Sequence, residues 1–219
     1  MQRAFGLSIP QTLEEVCHPT RLALLVYDMQ VGILRQLPSA AAVTQRVVQV
    51  LDAARDGGYR VFFSRFMSLP NELAGVMQLR TAMAWQRLTD VNSVRPAFLR
   101  DSEAFQLVPE VAPQPSEAIF DRIAISGFVG TPLEIALRDC GIVAVAVVGV
   151  ALEVGIEPTV RHAADLGFIP VVPHDACAGR DQEACERTLA SLAFAGDAIL
   201  TDARTLSSIL RGTRGSVME

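Results

Sequence analysis

Two hydrophobic rhythms alternate along the chain. Leu22 to Tyr27 is a continuous apolar run closed by Asp28, the pattern of a strand buried on both faces. From Ala41 to Asp56 the apolar residues Val43, Val47, Val48, Leu51 and Ala54 fall near helical spacing, and Gly57-Gly58 stops the helix. Tyr59 to Phe66 predicts a second strand, Ala118 to Phe120 a third, and the uncharged run Val143 to Val150 a fourth. Phe168 to Val172 and Ala198 to Leu200 complete a set of six. Between them, helices are expected from Thr131-Pro132 to Asp139, from Glu157 to Leu166 and from Gln182 to Ala193, with a tail helix at the end. The stretch from Met67 to Pro115 is less regular, with one helix expected around Glu72 to Met83 and then a long loop.

Strands separated by helices make a mainly parallel sheet, because parallel neighbours need crossover connections. The expectation is an α/β fold: a three-layer α/β/α sandwich with a six-stranded, mainly parallel, Rossmann-like sheet. No repeat, low-complexity tract or linker interrupts the pattern, so residues 1–219 read as one domain with 1–20 as an N-terminal extension.

Composition narrows the function. Half of the residues are hydrophobic and only 6% aromatic, which suits aliphatic strands among Ala-rich helices and excludes a disordered chain. A net charge of -5 with no basic run argues against a nucleic-acid partner and leaves a small molecule or a protein. Cys17, Cys140, Cys177 and Cys185 form no C-x-x-C pair, and with His18, His162 and His174 they give no zinc-ligand spacing. The N-terminus lacks the apolar core of a signal peptide, and the longest apolar run, Ile142 to Leu152, is shorter than the roughly 20 residues of a membrane span. A cytoplasmic protein without a membrane partner is the expectation.

In an open parallel sheet, ligands bind beyond the carboxyl ends of the strands. The residues there are Asp28 after the first strand, Ser64-Arg65-Phe66 at the second, Asp121-Arg122 at the third and Gly149-Val150-Ala151 at the fourth. An acid and an arginine converging on one crevice form either a reaction centre or a structural ion pair, and the pattern alone supports both.

Four blocks then carry a family resemblance. Leu24 to Gln30 resembles the "hydrophobic run, Asp, Met/Phe, Gln" opening of the isochorismatase-like hydrolases, the cysteine hydrolase superfamily. The stretch Arg122, Ser126, Phe128, Thr131, Leu133 resembles that family's "Lys, three residues, Ser-Ala-Phe, two residues, Thr, one residue, Leu". Gly149 to Ile156 falls on "Gly-Val-Ala-Thr-Asp-x-Cys-Val", and Pro170 to Ala176 is similar to the next strand, which ends in "Asp-Ala". The blocks come in the family's order over most of the chain.

In the cysteine hydrolases of this superfamily the Asp acts as base, the Lys supports the charge and the Cys attacks a carbonyl. Here Asp28 is kept, Arg122 stands at the Lys position and Gly155 at the Cys position. Glycine offers no nucleophile, so thiol catalysis at that position is excluded. The isochorismatases proper, which cleave a vinyl ether, also lack that thiol. The resemblance therefore implies hydrolysis of a small anionic molecule, with vinyl-ether cleavage as the specific version. Asp28 would act as acid or base and Arg122 as electrostatic anchor. Gly155 would leave space and a backbone N–H. Arg122 can bind a substrate carboxylate or hold Asp28 ionised, and the second role opposes acid catalysis. Ala151-Leu152-Glu153 also departs from the Tyr-Ala-His of those isochorismatases. The resemblance further suggests a cis peptide between Val150 and Ala151, with N–H groups near Ala151 and Gly155 forming an oxyanion site.

Phe66, Trp85 and Phe128 are candidates to line the pocket, or are plain core, and Val150 and Ala151 are candidates to bind the substrate beside them. Glu153 is either a second carboxylate in the crevice or an acid favoured by the next helix dipole. Glu157 and Arg161 are expected to pair on a helix surface, where His162 also belongs. The resemblance implies no metal or organic cofactor, and a homo-oligomer. The alternative is a family member without catalysis, serving as a ligand- or protein-binding module.

Overall fold

Strand pairing follows the hydrophobic runs. A computed structural model of the chain describes residues 1–212. An antiparallel hairpin, β1 (Gln2–Ala4) and β2 (Leu7–Ile9), and a short helix α1 (Leu13–Val16) precede the main sheet. Then come β3 (Leu22–Tyr27), α2 (Val31–Leu34), α3 (Ala40–Asp56), β4 (Arg60–Phe66), α4 (Val76–Gln86), β5 (Ala118–Arg122), α5 (Leu133–Asp139) and β6 (Ala144–Val150). A single π-helical turn, Leu152–Ile156, leads into α6 (Glu157–Asp165). Last are β7 (Ile169–Pro173), β8 (Cys177–Ala178), α7 (Gln182–Ala195), β9 (Ile199–Thr201) and α8 (Ala203–Gly212).

The main sheet runs β5-β4-β3-β6-β7-β9, every pair parallel. These are the six strands expected from the sequence, and two-residue β8 adds a seventh beside the end of β6. The helix expected at 72–83 lies at Val76–Gln86, after a 3-10 turn at Asn71–Leu73. Residues 1–20, expected only as an extension, hold the hairpin.

The sheet separates two cores because alternate residues of a strand face opposite sides. In β3, Leu22, Leu24 and Val26 join Val47, Leu51, Leu206 and Leu210 of α3 and α8. Ala23, Leu25 and Tyr27 face the other way, onto Leu137, Val160 and Leu192 of α5, α6 and α7. Tyr27 is thus the last inward residue on one face, one step before Asp28 leaves the strand.

The order in which strands are added reverses between β3 and β6. From β3 the chain steps outward to β4 and β5, and from β6 it steps the opposite way to β7 and β9. The ends of β3 and β6 therefore flank a topological switch point, where loops diverge and open a crevice. Gly149, paired with Tyr27 in register, makes the approach of these two strands possible: a Cβ there would lie 2.0 Å from the Tyr27 carbonyl oxygen.

Candidate active site

Asp28 turns off β3 at φ 51°, a left-handed conformation that a non-glycine residue holds only when its surroundings impose it. Two neighbours do so. The Asp28 N–H donates to Ser64 O at 3.0 Å, and Gln30 N–H donates back to Asp28 O at 2.6 Å. Gln30, fully buried, fastens the turn: its amide nitrogen donates to Phe66 O and Phe105 O, and its amide oxygen accepts from the Phe66 N–H at 2.7 Å.

The same turn sets the Asp28 carboxyl against Arg122, at the end of β5. Arg122 Nη2 donates to Asp28 Oδ2 at 2.6 Å, and both side chains are buried. The other two nitrogens of the guanidinium each make one bond, Nε with Ser64 Oγ at 2.8 Å and Nη1 with Ala124 O at 2.6 Å. Its flat face lies over the Tyr27 ring at 4.3 Å, with Phe66 5.7 Å away.

Asp28 Oδ1, in contrast, is buried without a hydrogen-bond partner among the described residues. Burial pushes the Asp28 carboxyl up to about 6, and the opposing pull of Arg122 does not cancel it. Removal from water outweighs the charge and hydrogen bond of Arg122 and the backbone N–H of Phe66, which favour the ionised form. Protonation at Oδ1 relieves the uncompensated charge and leaves the Arg122 bond to Oδ2 in place.

Beside this pair lies a cavity of about 150 Å³, lined by Asp28, Arg122, Tyr27, Phe66, Phe98 and Trp85 among others. Ala151, Glu153, Gly155 and Arg180 close its other side. The structure thus brings Asp28, Arg122, Gly155, Phe66, Trp85 and Ala151 to one cavity. Two expected lining residues stay away. Val150 points into the core shared with α3, and Phe128 stacks on Phe168 at 6.0 Å and sits beside the His162 ring, under the site. His162, expected on a helix surface, is half-buried and meets Ser126 Oγ at 2.9 Å. The Glu157–Arg161 pair is likewise part of a half-buried network with Ser191 and Thr188.

Gly155 has no empty space beside it. A Cβ at this position would fall 2.5 Å from Tyr27 Cε1 and 2.6 Å from its hydroxyl oxygen. The phenol occupies that space and donates its hydrogen to Ile125 O, and burial raises its pKa well above the usual value. The Gly155 N–H donates to Ala151 O at 2.9 Å within the π turn. The peptide between Val150 and Ala151 is cis.

Glu153, whose place the sequence left open, lies in the crevice. Its Oε1 accepts from the N–H groups of Arg180 and Asp181, at 2.9 and 3.4 Å. The four cysteines are free. Cys177 and Cys17 are buried, with thiol pKa values raised by desolvation, which leaves both without thiolate character. Among the described residues no group of three or more His, Cys, Asp and Glu side chains could hold a metal ion, and no helix is long and apolar enough to cross a membrane.

A family model described as the isochorismatase domain matches residues 22–204, from the start of β3 into α8. The chain belongs to the isochorismatase family. Ureidoacrylate amidohydrolase RutB of Pantoea ananatis (strain LMG 20103) is 29% identical over 174 residues, 72% of this chain and 69% of that protein. Among solved structures, a cysteine hydrolase from Pseudomonas syringae pv. phaseolicola 1448A shares the fold with a TM-score of 0.78 at 21% identity, over 90% of this chain and 96% of the other. N-carbamoylsarcosine amidase from Thermoplasma acidophilum does so with a TM-score of 0.70 at 20% identity, over 84% of this chain and 96% of its own. Within this isochorismatase-family domain, Tyr27, Phe98 and Arg180 are among the cavity residues that sequence reasoning missed. Tyr27 was hidden inside an apolar run, and the other two come from loops without a periodic signal.

Proposed function

We propose that this isochorismatase-family protein hydrolyses a small anionic molecule without a thiol nucleophile, by acid-catalysed cleavage of a vinyl ether. The observation that carries this reading is the buried Asp28 carboxyl, whose unpartnered Oδ1 and upward-shifted pKa suit a proton donor near neutral pH. Asp28 Oδ1–H gives its proton to the terminal carbon of the enol ether. The other alkene carbon becomes an oxocarbenium ion, water adds there, and the resulting hemiketal releases the alcohol and leaves a ketone. The proton lost by water returns to Asp28.

Arg122 fits this cycle without being a substrate anchor. Its bond to Asp28 Oδ2 supports the carboxylate present between proton delivery and recovery, while burial restores the acid. On this reading the pull of the arginine tempers the acid without abolishing it. Amide hydrolysis through an acyl-thiol intermediate, the chemistry of the superfamily's cysteine members, has no nucleophile at Gly155.

The test is pyruvate release from isochorismate, run beside a panel of small amides. Turnover of the vinyl ether and not of the amides is the expected result. No turnover on either class would overturn the reading in favour of a ligand-binding member of the family.

A further inference from the structure

An anionic substrate needs a cation that is not already committed, and Arg122 is not one. Its charge is paired with the Asp28 carboxylate at 2.6 Å, Nε and Nη1 donate to Ser64 Oγ and Ala124 O, and one face lies over Tyr27. Arg65, on the same strand as Phe66, is spent on Asp121 at 2.7 Å. One guanidinium on the cavity wall is left. Arg180 lines the cavity, is exposed, and its side chain has no hydrogen bond or ion pair among the described residues.

The loop that carries Arg180 is fixed in place. Glu153 Oε1 takes the backbone N–H groups of Arg180 and Asp181, so this nearby carboxylate is compensated by the loop main chain rather than by the Arg180 guanidinium. Gly179 allows the approach: a Cβ there would lie 1.8 Å from Glu153 Oε2. Asp181 then caps α7 by accepting from the Ala184 N–H at 2.8 Å. The backbone of residue 180 is therefore held at the cavity, and its charged side chain stays free for a ligand.

The same cavity has an aromatic lining. Phe66 meets Trp85 and Phe98 edge-on, at 6.0 and 5.9 Å between ring centres. A cavity of about 150 Å³ matches the size that takes a benzene-sized guest.

Resting on the reading of this cavity as the substrate site, we propose that Arg180 is the carboxylate anchor and that the ligand is a carboxylate built on a single ring-sized apolar body. The body lies against Phe66, Trp85 and Phe98, and the carboxylate meets Arg180 at the mouth. Arg180 is exposed and makes no side-chain bond, so its replacement spares the fold.

Benzoate, with neutral benzamide as its isosteric control, tests this by calorimetry at pH 7.5 on the full chain and on Arg180→Gln and Arg180→Lys. The wild type is expected to bind benzoate about tenfold or more tightly than benzamide, with an advantage that shrinks as salt rises. Arg180→Gln is expected to bring the two ligands within twofold of each other, and Arg180→Lys to fall between. Equal binding of benzoate and benzamide by the wild type, an undiminished preference in Arg180→Gln, or no binding of either ligand would each overturn the proposal. An Arg180-dependent preference in a protein that turns over no vinyl ether would leave the anchor standing and remove the proposed reaction.

Discussion

The ring of Tyr27 stands where a side chain at position 155 would have to go, 2.5 Å from the Cβ that Gly155 lacks. Position 155 is thus held to glycine by packing: Tyr27, the last residue of β3, is almost fully buried. Gly155→Ala is expected to destabilise the protein by roughly 1–3 kcal/mol through overpacking. Tyr27→Ala is expected to cost about 3–5 kcal/mol for the lost ring and the cavity left behind. Combined as Tyr27→Ala/Gly155→Ala, the two changes should cost less than the sum of the single variants by at least about 1 kcal/mol, because the first opens the space the second needs. Urea denaturation of the four proteins measures this, and strict additivity would contradict the packing account.

Arg122 is predicted to be irreplaceable by lysine. An ammonium cannot reach Ser64 Oγ, Ala124 O and Asp28 Oδ2 in the flat geometry of the fork, nor cover the Tyr27 ring in the same way. Arg122→Lys is expected to lose about 1–3 kcal/mol of stability from the acceptors left bare. Arg122→Met, which leaves Asp28 without its counter-charge, is expected to lose about 3–5 kcal/mol at pH 8 and less at pH 5. The pH difference follows because the protonated carboxyl needs no cation. Thermal unfolding at the two pH values checks the order.

The upward shift of Asp28 also has a signature in wild-type stability. The folded protein holds this proton up to about pH 6, whereas an unfolded aspartate releases it near pH 4. Over that window the native state binds more protons, so stability falls as pH rises, by on the order of 2–3 kcal/mol in total, and then levels off. Asp28→Asn lacks the titration. Subtracting its stability curve from that of the wild type isolates the effect, and a difference that rises between pH 4 and 6 would show that Arg122, not burial, dominates.

Gln30 is expected to matter to the site without touching a ligand. Gln30→Leu removes an amide that binds Phe66 O, Phe105 O and the Phe66 N–H in the buried turn after β3. The orphaned groups should cost roughly 2–4 kcal/mol, one to three for each poorly recovered partner. Guanidinium denaturation of Gln30→Leu measures the loss.

How much of this was written in the hydrophobic pattern differs between scaffold and site. The six strands were legible because a strand covered on both faces must be apolar throughout, and Ala144–Val150 is buried at every position. The hairpin at Gln2–Ala4 and Leu7–Ile9 was not, since it is mostly exposed and its alternation has no core to serve. Asp28 and Arg122 could be placed because they end apolar runs at the rim of a parallel sheet. Their contact, and the competition between burial and charge that sets the Asp28 proton, depend on β4 lying between β3 and β5, which no local spacing encodes. Tyr27 read as one more apolar strand residue, and only the turn of residues 152–156 across its ring gave it a role.

The central claim is that Asp28 delivers the proton, and the pH dependence of pyruvate release from isochorismate tests it most directly. For the wild type, kcat/KM is predicted to be flat below about pH 6 and to fall tenfold per pH unit above it, as the acid is lost. Asp28→Asn is predicted to release no pyruvate at any pH while keeping the fold. A rate that rises with pH, or an Asp28→Asn variant that retains turnover, would contradict the assignment of Asp28 as the acid.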